Sequence, residues 1–583
     1  MAKTIFLSDC GILPDSGVDC SAALQALFDG LVYDGEEIIV MFKKGTYRIF
    51  RPIRITGARK LSVRGACATI LAHFDPCGPI LDGNEALRFL NGEDIKGNND
   101  VFHFFDSEDV QIHDLFFDTD NPIGAAGRIT AIDREAGTAD LQIYDEFPVT
   151  GFEHFCATNS FDEKGSPDYA LHTYHNRPVK QVFTAPDGTE QTRLVGLDYD
   201  VIGDRLVRMK LGHISPKLQV GHQINIRYEI YGNSIFNFTS CRRFLLKNII
   251  IYSAASFGAT IKPRSEDFTF DNFCIRVPDG SKRLKAANAD GIHALGLAGK
   301  MVLRSCNMEG MGDDTLNIHG TAGGIHVLDT EQKTVSMIYP YRHEVRKLPR
   351  NWAQPGDTIY VYDSDTFLRK GSFVIDSVDE NNNAVYRDEV GSLAVGDTLA
   401  NAEYFASLHI DGCTVRNTRA RGFLVQTHNV LIENSYICGM SLAALLFAPD
   451  IRVWWEVGPC KNVEIRNNVI ENCAHIESGA NQGAIIFKAC HDSNTVEYPA
   501  GVHENLYIHD NRFIDIPQSA IFVSSAKNVR IENNAFTHCC YHPQDSAEYA
   551  KYDIVAANCE NVTLSGNVSD RGEETLQILV DCK

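Results

Sequence analysis

Hydrophobic and polar positions alternate with a period of two along most of this chain, in runs of only four to eight residues. Such runs predict short strands with one buried face. The pattern is plainest after Ser407. Asn429-Val-Leu-Ile-Glu-Asn434, Asn462-Val-Glu-Ile-Arg-Asn467, Asn528-Val-Arg-Ile-Glu-Asn533 and Asn561-Val-Thr-Leu-Ser-Gly566 repeat one unit, with a looser copy at Asn505-Leu-Tyr-Ile-His-Asp510. Each is a short alternating strand entered and left by turn-forming polar residues. The starts lie twenty-three to forty-three residues apart, which is one coil plus loops of variable length. Periods of this size mark a solenoid, and the lack of intervening amphipathic helices selects a β-helix over a leucine-rich or helical array. Asparagines recurring at one corner are expected to stack into hydrogen-bonded ladders.

Earlier in the chain the same style appears at Glu36–Ile55, Leu61–Phe74, Val110–Phe117, Leu246–Tyr252 and Asp267–Arg276. Near the N-terminus, Asp19 is a candidate cap for a short helix with Ala23, Leu24, Leu27 and Leu31 on its apolar stripe. That helix is placed to cover the open end of the strand stack. The pattern breaks twice. From Gly127 to Tyr228 and from Ile325 to Leu399, longer strands joined by hairpin turns predict small antiparallel barrels. Val220-Gly-His-Gln-Ile224 near the end of the first break is echoed by Val395-Gly-Asp-Thr-Leu399 in the second. The predicted fold is all-β, a right-handed parallel β-helix solenoid with two inserted small β-barrel domains. Its parts are an N-terminal cap and first coils over 1–121, the first barrel over 122–230, a central β-helix over 231–322, the second barrel over 323–405, and C-terminal coils over 406–583.

Composition changes this picture little but narrows the partners. The formal net charge is −22 over 583 residues, with no basic run. Nucleic acid and anionic membranes are disfavoured, and so is a polyanionic substrate unless a local basic pocket receives it. No stretch reaches the length of a transmembrane helix. The seventeen cysteines are scattered and form no Cys-x-x-Cys pair, which removes zinc-ribbon and thioredoxin readings. Reduced cysteines packed as small hydrophobes suit a reducing compartment. With no apolar run at the N-terminus long enough for a signal peptide, the expected location is the cytoplasm, or secreted or periplasmic if a leader has been removed. The group His538, Cys539, Cys540 and His542 is a candidate zinc site, with a solvent-facing histidine and core cysteines at a turn as the plainer reading.

The candidate chemistry lies in Asn288–His319. Asp290 stands in Ala-Asp-Gly-Ile-His, and Asp313-Asp314 follow in Gly-Asp-Asp-Thr, twenty-three positions on from Asp290. One coil of a β-helix has about that length, so the three aspartates are expected on one face, roughly one strand spacing (~4.8 Å) apart. Each alone suits a turn beside Gly291 or Gly312. Together they are a repelling cluster with no local cationic run, and this suits a paired-carboxylate hydrolase. Close packing is expected to raise one pKa and keep that group protonated. Adjacent residues on a flat strand point to opposite faces, so the backbone must turn or bulge at Gly312-Asp313 for both to serve. His293, Asn317, His319, Arg419 and Arg421 are candidate substrate-binding residues on neighbouring coils. Trp454-Trp455-Glu456 is a further candidate, because the chain has only three tryptophans and sugars stack on aromatic faces.

The Ala-Asp-Gly-Ile-His and Gly-Asp-Asp-Thr-Leu-Asn-Ile-His motifs, at this spacing, resemble glycoside hydrolase family 110, and the resemblance covers most of the chain. It implies an exo-acting α-1,3-galactosidase that removes terminal galactose, as from blood-group B type glycans, on a β-helix carrying inserted barrels. It implies an inverting, metal-independent mechanism without a cofactor. Asp313 matches the general acid, and Asp290 with Asp314 the pair that activates water. The lack of a signal peptide departs from many secreted relatives. Polygalacturonase-like enzymes of family 28 are the alternative. They share a β-helix and an aspartate trio, but their Gly-His-Gly and Arg-Ile-Lys strings are missing here. A non-catalytic glycan-binding β-helix is the third reading, and the concentrated aspartates oppose it. The sequence is compatible with a monomer or a homodimer, and with either a requirement for or a tolerance of fucose on the neighbouring galactose. The latter choice is assigned to loops, Ala474–Gln482 among them.

Overall fold

The computed structural model describes the chain apart from residues 1, 75–99, 150–156, 163–166, 174–178, 185–189, 196–198, 229–233, 342–343, 347–351, 380–382, 452–453, 476–482, 492–495 and 542–550. Parallel strands stack into a β-helix whose inward side chains form one continuous apolar core. The repeated units occupy equivalent positions: Val430 pairs with Val463, Val463 with Leu506, Leu506 with Val529, and Val529 with Val562. In the first four units the valines and leucine two residues before Ile432, Ile465, Ile508 and Ile531 point inward and are buried. The fifth is different, since Val562 and Leu564 are only partly buried where the stack ends.

Asparagine shapes the coil corners. Asn429, Asn462, Asn505, Asn528 and Asn561 all have φ near +55°, as do Asn434, Asn467, Asp510 and Asn533 at the other end of each strand. Asn and Asp tolerate the left-handed region because a short polar side chain can bond locally. The side chains form two ladders. On the exposed corner, Asn561 donates to Asn528, Asn528 to Asn505, Asn505 to Asn462 and Asn462 to Asn429, at 2.8–2.9 Å. The second ladder is internal, where Asn468, Asn511, Asn534 and Asn567 bond in series. Many of the cysteines share this work. Cys413, Cys460, Cys473, Cys539 and Cys559 are buried, and each Sγ donates both to the carbonyl two residues before it and to one on the preceding coil. A thiol is a small apolar group with a weak donor, which is what a tight inner corner can hold.

The helix Ser21–Asp29 buries Leu24 and Phe28 against the core. Asp19 sits one residue before the N-cap position and accepts from the Ser21 amide at 2.9 Å. Gln25 pairs its side-chain amide with both the N–H and C=O of Arg54, each at 2.8 Å. It thereby occupies the open hydrogen-bonding edge of Ile53–Thr56, which would otherwise be a template for association.

Two antiparallel units interrupt the coils. Between Gly124 and Arg227 lies a seven-stranded sheet. Among the described residues it is open, with Pro167–Thr173 and Tyr199–Gly203 as its edges, where a closed barrel was expected. The second unit closes. Strand Leu316–Asp329 pairs with Thr334–Tyr341, and the ring runs on through Asn383–Val390, Arg369–Val378, Thr358–Tyr362 and Thr398–Asn401 back to the first strand. The two echoed pentapeptides make equivalent turns. Gly221 donates to Ile129 O and Gly396 to Ile325 O, both at 2.9 Å, and each returns the chain beside the strand that opened its unit. Among the described residues no helix is long and apolar enough to cross a membrane.

Candidate active site

The site forms where the β-helix meets both insertions. Strands Ile292–Leu295 and Leu316–Asp329 lie side by side in one parallel sheet, with Phe423–Gln426 on the next coil. Leu316–Asp329 is long because it belongs to two structures. Its first residues pair in the β-helix, and its last run into the second barrel.

The coil step here is twenty-four residues: Ile292 pairs with Leu316, and Ala287 bridges Met311. Asp290 is therefore stacked with Asp314, and Asp313 lies one position aside. The backbone bends at Gly312-Asp313, as both aspartates require. Gly312 is needed for space rather than for its φ, because a Cβ there would sit 2.1 Å from Asn288 O. The Asp314 amide donates to Asp290 Oδ1 at 3.3 Å.

All three carboxylates are buried. Arg419 donates through Nη2 to Asp313 Oδ1 at 2.7 Å and through Nε to Gly312 O. Arg421 meets Asp314 with its amide at 2.9 Å and with Nη1 at 3.1 Å from Oδ2. The paired arginines of Thr-Arg-Ala-Arg-Gly thus each take one aspartate. For Asp290, burial and then the negative charges of Asp313, Asp314 and Glu456 push the carboxyl well above the usual carboxylate range. Burial also raises Asp314, to about 6, against the opposing pull of Arg421.

Beside the carboxylates lies a polar group formed by His293, Asn317, His319 and Glu456. The two imidazoles meet at 3.0 Å through their Nε2 atoms. His319 Nδ1–H donates to Gly320 O at 2.8 Å, and His293 Nδ1 lies 3.8 Å from Asp290 Oδ2. Burial lowers both histidines, to about 3 for His293 and about 4 for His319, so both rings are neutral near pH 7. Glu456 reaches in from a two-residue strand that pairs antiparallel with Gly320 and Thr321. It accepts from Asn317 Nδ2 at 3.1 Å and from Gln426 Nε2 at 3.4 Å. Burial, then the Asp450 charge, raises it to about 7.

The adjacent tryptophans part company. Trp455 is buried in the apolar cluster of the second barrel, its ring against Gly324. Trp454 is 41% exposed. Among the described residues, the candidate zinc group is not gathered into one site. His538 is exposed and faces Asp515 at 2.7 Å, Cys539 and Cys540 donate to backbone carbonyls, and His542 lies outside the described residues. Ala474–Gln482 also lies mostly outside them.

Arg227 and Gln426 are the participants that sequence reasoning missed. Arg227 is fully buried on the last strand of the first insertion, and its Nη1 donates to Asn288 O at 2.6 Å and Gly312 O at 2.9 Å. It grips the backbone just ahead of Asp290 and Asp313. Its one local signal is a charged residue closing an otherwise alternating strand, which is too common to single it out.

A family model described as "Right handed beta helix region" matches residues 399–569. The chain is 24% identical over 579 residues to the alpha-1,3-galactosidase A of Bacteroides fragilis, covering 97% of this chain and 92% of that protein. It is 22% identical over 597 residues to the alpha-1,3-galactosidase A of Shewanella woodyi, with 97% and 90% covered. The chain is thus similar over nearly its whole length to named alpha-1,3-galactosidases, in agreement with the family 110 resemblance of its aspartate motifs. Among solved structures, the family 28 exopolygalacturonase of Yersinia enterocolitica aligns with all of this chain and 78% of its own, at 10% identity and a TM-score of 0.46. The similarity extends through both insertions, since the alignments with the two galactosidases run nearly end to end.

Proposed function

We propose that this protein is an exo-acting, inverting α-1,3-galactosidase that removes terminal α-1,3-linked galactose, from blood-group B type glycans, from linear Galα1-3Gal, or from both. The observation that carries the reading is the buried trio Asp290, Asp313 and Asp314, stacked on adjacent coils and bracketed by two arginines, in a chain similar to named α-1,3-galactosidases over nearly its full length. An inverting glycosidase needs one carboxylic acid to protonate the leaving oxygen and one carboxylate to activate water. Asp313 takes the first role, and Asp290 with Asp314 the second.

The surrounding group suits a neutral sugar. His293, Asn317, His319 and Glu456 offer uncharged donors and acceptors and one carboxylate to the hydroxyls of a galactose. The two nearby arginines are each engaged by an aspartate, which leaves them poorly placed to receive the carboxylate of a uronic acid and favours galactose over polygalacturonate. Trp454, partly exposed two residues before Glu456, is an aromatic surface for the sugar to stack on.

One observation favours a second division of roles. Asp313 is paired with Arg419, which opposes protonation, whereas Asp290 has surroundings that favour its proton. In that version Asp290 is the acid and Asp313 joins Asp314 at the water.

The test is NMR of the sugar released from Galα1-3Gal and from its fucosylated counterpart. Early β-galactose is expected. Early α-galactose means retention and overturns the water-activating pair. No galactose from either substrate overturns the galactosidase reading and leaves polygalacturonate and glycan arrays to be tried.

A further inference from the structure

His293, His319 and Glu456 each offer one ligand-capable atom, and these atoms all lie within 4.8 Å of one another. The two Nε2 atoms are 3.0 Å apart, and Glu456 Oε1 is 3.8 Å from His319 Nε2. In a tetrahedral zinc site with bonds near 2.0–2.1 Å, ligand atoms are about 3.3 Å apart, so the observed separations bracket the required one. Small side-chain rotations would meet it.

The atoms behind these three also match. His319 Nδ1–H donates to the Gly320 carbonyl, which fixes the tautomer and makes Nε2 the acceptor of a hydrogen bond from His293 Nε2–H at 3.0 Å; an ion held by both nitrogens would replace that shared proton. His293 Nδ1 is buried without a hydrogen-bond partner and has the Asp290 carboxylate 3.8 Å behind it. Glu456 is steadied by Asn317 and Gln426. A carbonyl behind the His319 ring and amides behind the Glu456 carboxylate are what hold metal ligands in place, and a small turn of the His293 ring would bring its Nδ1–H to the Asp290 carboxylate in the same way. Two imidazoles and one carboxylate select first-row divalent cations, with zinc foremost, over calcium or magnesium.

We infer that His293, His319 and Glu456 form a binding site for a divalent transition metal of the Zn2+ class, and that an ion bound there competes with the sugar and stops hydrolysis. The donors are the side chains assigned above to the galactose hydroxyls, and none of the three aspartates is among them. The cation thus occupies the sugar side of the site rather than the water side. The competition rests on the galactosidase reading, but metal binding does not.

The experiment starts with full-length protein treated with a chelator and dialysed. It is titrated with Zn2+ by calorimetry in a non-coordinating buffer, alone and in the presence of D-galactose. One Zn2+ per chain is expected, with affinity at least tenfold weaker in Glu456→Gln and in His319→Gln. Either no binding or binding unchanged in both variants overturns the site. Circular dichroism checks that the variants fold. If neither does, Cu2+ added to the unaltered protein decides the matter, because its EPR spectrum must show coupling to two imidazole nitrogens, and a spectrum without that coupling overturns the site. For the competition, Zn2+ is expected to raise the apparent KM for Galα1-3Gal, with recovery on adding a chelator. Zinc bound at these residues with unchanged hydrolysis overturns that half. Zinc bound in a protein that releases no galactose leaves the metal site standing and overturns the galactosidase reading instead.

Discussion

Asp290 and Asp314 stand at the same position on successive coils, with the Asp314 amide 3.3 Å from the Asp290 carboxylate. Asp313 is displaced one residue from that column and turned to Arg419. The acid and the water-activating pair can be told apart by leaving group. Losing a general acid costs roughly 10²- to 10⁴-fold, but far less when the leaving group needs no proton. Asp313→Asn is expected to fold normally, to lose about 10³-fold or more of its turnover on Galα1-3Gal, and to keep much of its activity on an aryl α-galactoside with an acidic phenol. Asp290→Asn and Asp314→Asn are expected to fail on both substrates. If Asp290→Asn spares the aryl substrate and Asp313→Asn does not, the roles exchange.

The raised acids make a prediction about stability. Glu456 lies at about 7 in the folded protein, above its ordinary 4.5, chiefly through burial. A carboxyl raised on folding binds its proton more tightly in the native state, so its contribution is complete below the unfolded pKa and is lost as pH rises through the folded one. Between about pH 4.5 and 7, the melting temperature should therefore fall in part through Glu456 and Asp314. Glu456→Gln should flatten that dependence and become the more stable protein above pH 7, by an amount on the order of 3 kcal/mol at most. Thermal melts of both proteins at pH 5 and pH 8 test this, and equal slopes would remove Glu456 from the account.

The fold was legible where local and global signals coincide. The Asn-bounded units read as strands because the residue types that tolerate the left-handed corner also carry the ladder, so both facts sit in six residues. The aspartate motifs were legible for a similar reason, two short strings one coil apart. The twenty-four-residue register was not, since it depends on how the backbone bends at Gly312-Asp313 against Asn288 O. Closure was legible for only one insertion: both were expected to be barrels, and among the described residues the first is an open sheet while the second closes. Hairpin cues report which strands are adjacent, and only the pairing of Thr398–Asn401 with Leu316–Asp329 closes the second ring. Trp455 illustrates a limit of composition: a scarce aromatic beside Glu456 suggests a sugar platform, yet its ring packs under the barrel.

The two asparagine ladders should differ in what they are worth. Asn511 is buried, donates to Ile465 O, His509 O and Asn534 Oδ1, and accepts from the Asn468 amide. Asn511→Ala leaves several of these groups buried and unmatched, at about 1–3 kcal/mol each, so a loss of about 3 kcal/mol is expected. Asn505→Ala, on the exposed ladder, loses bonds that water replaces and mainly strains a residue at φ +58°, at about 1 kcal/mol. Denaturant titration of the two variants compares them directly. Similar losses would mean that the inner ladder has no special part in holding the corners.

Arg227 connects the first insertion to catalysis without touching the proposed reacting groups. Its Nη1 bridges Asn288 O and Gly312 O, the carbonyls two residues before Asp290 and one before Asp313. Gly312 O also accepts from Arg419, so one carbonyl is held from two sides. Arg227→Met removes a charged donor from two buried carbonyls and lets the neighbouring coils shift relative to each other. A displacement of about 1 Å in a catalytic group can cost ~10²-fold in rate. The expected result is a kcat for Galα1-3Gal lower by about 10- to 100-fold, with KM changed much less, because the galactose-binding group on Asn317, His319 and Glu456 is anchored elsewhere. Arg227→Lys, which keeps one donor and the charge, should recover part of the rate. A purely structural role would instead lower the melting temperature while leaving kcat per folded molecule intact, and active-site titration alongside the melts separates the two outcomes.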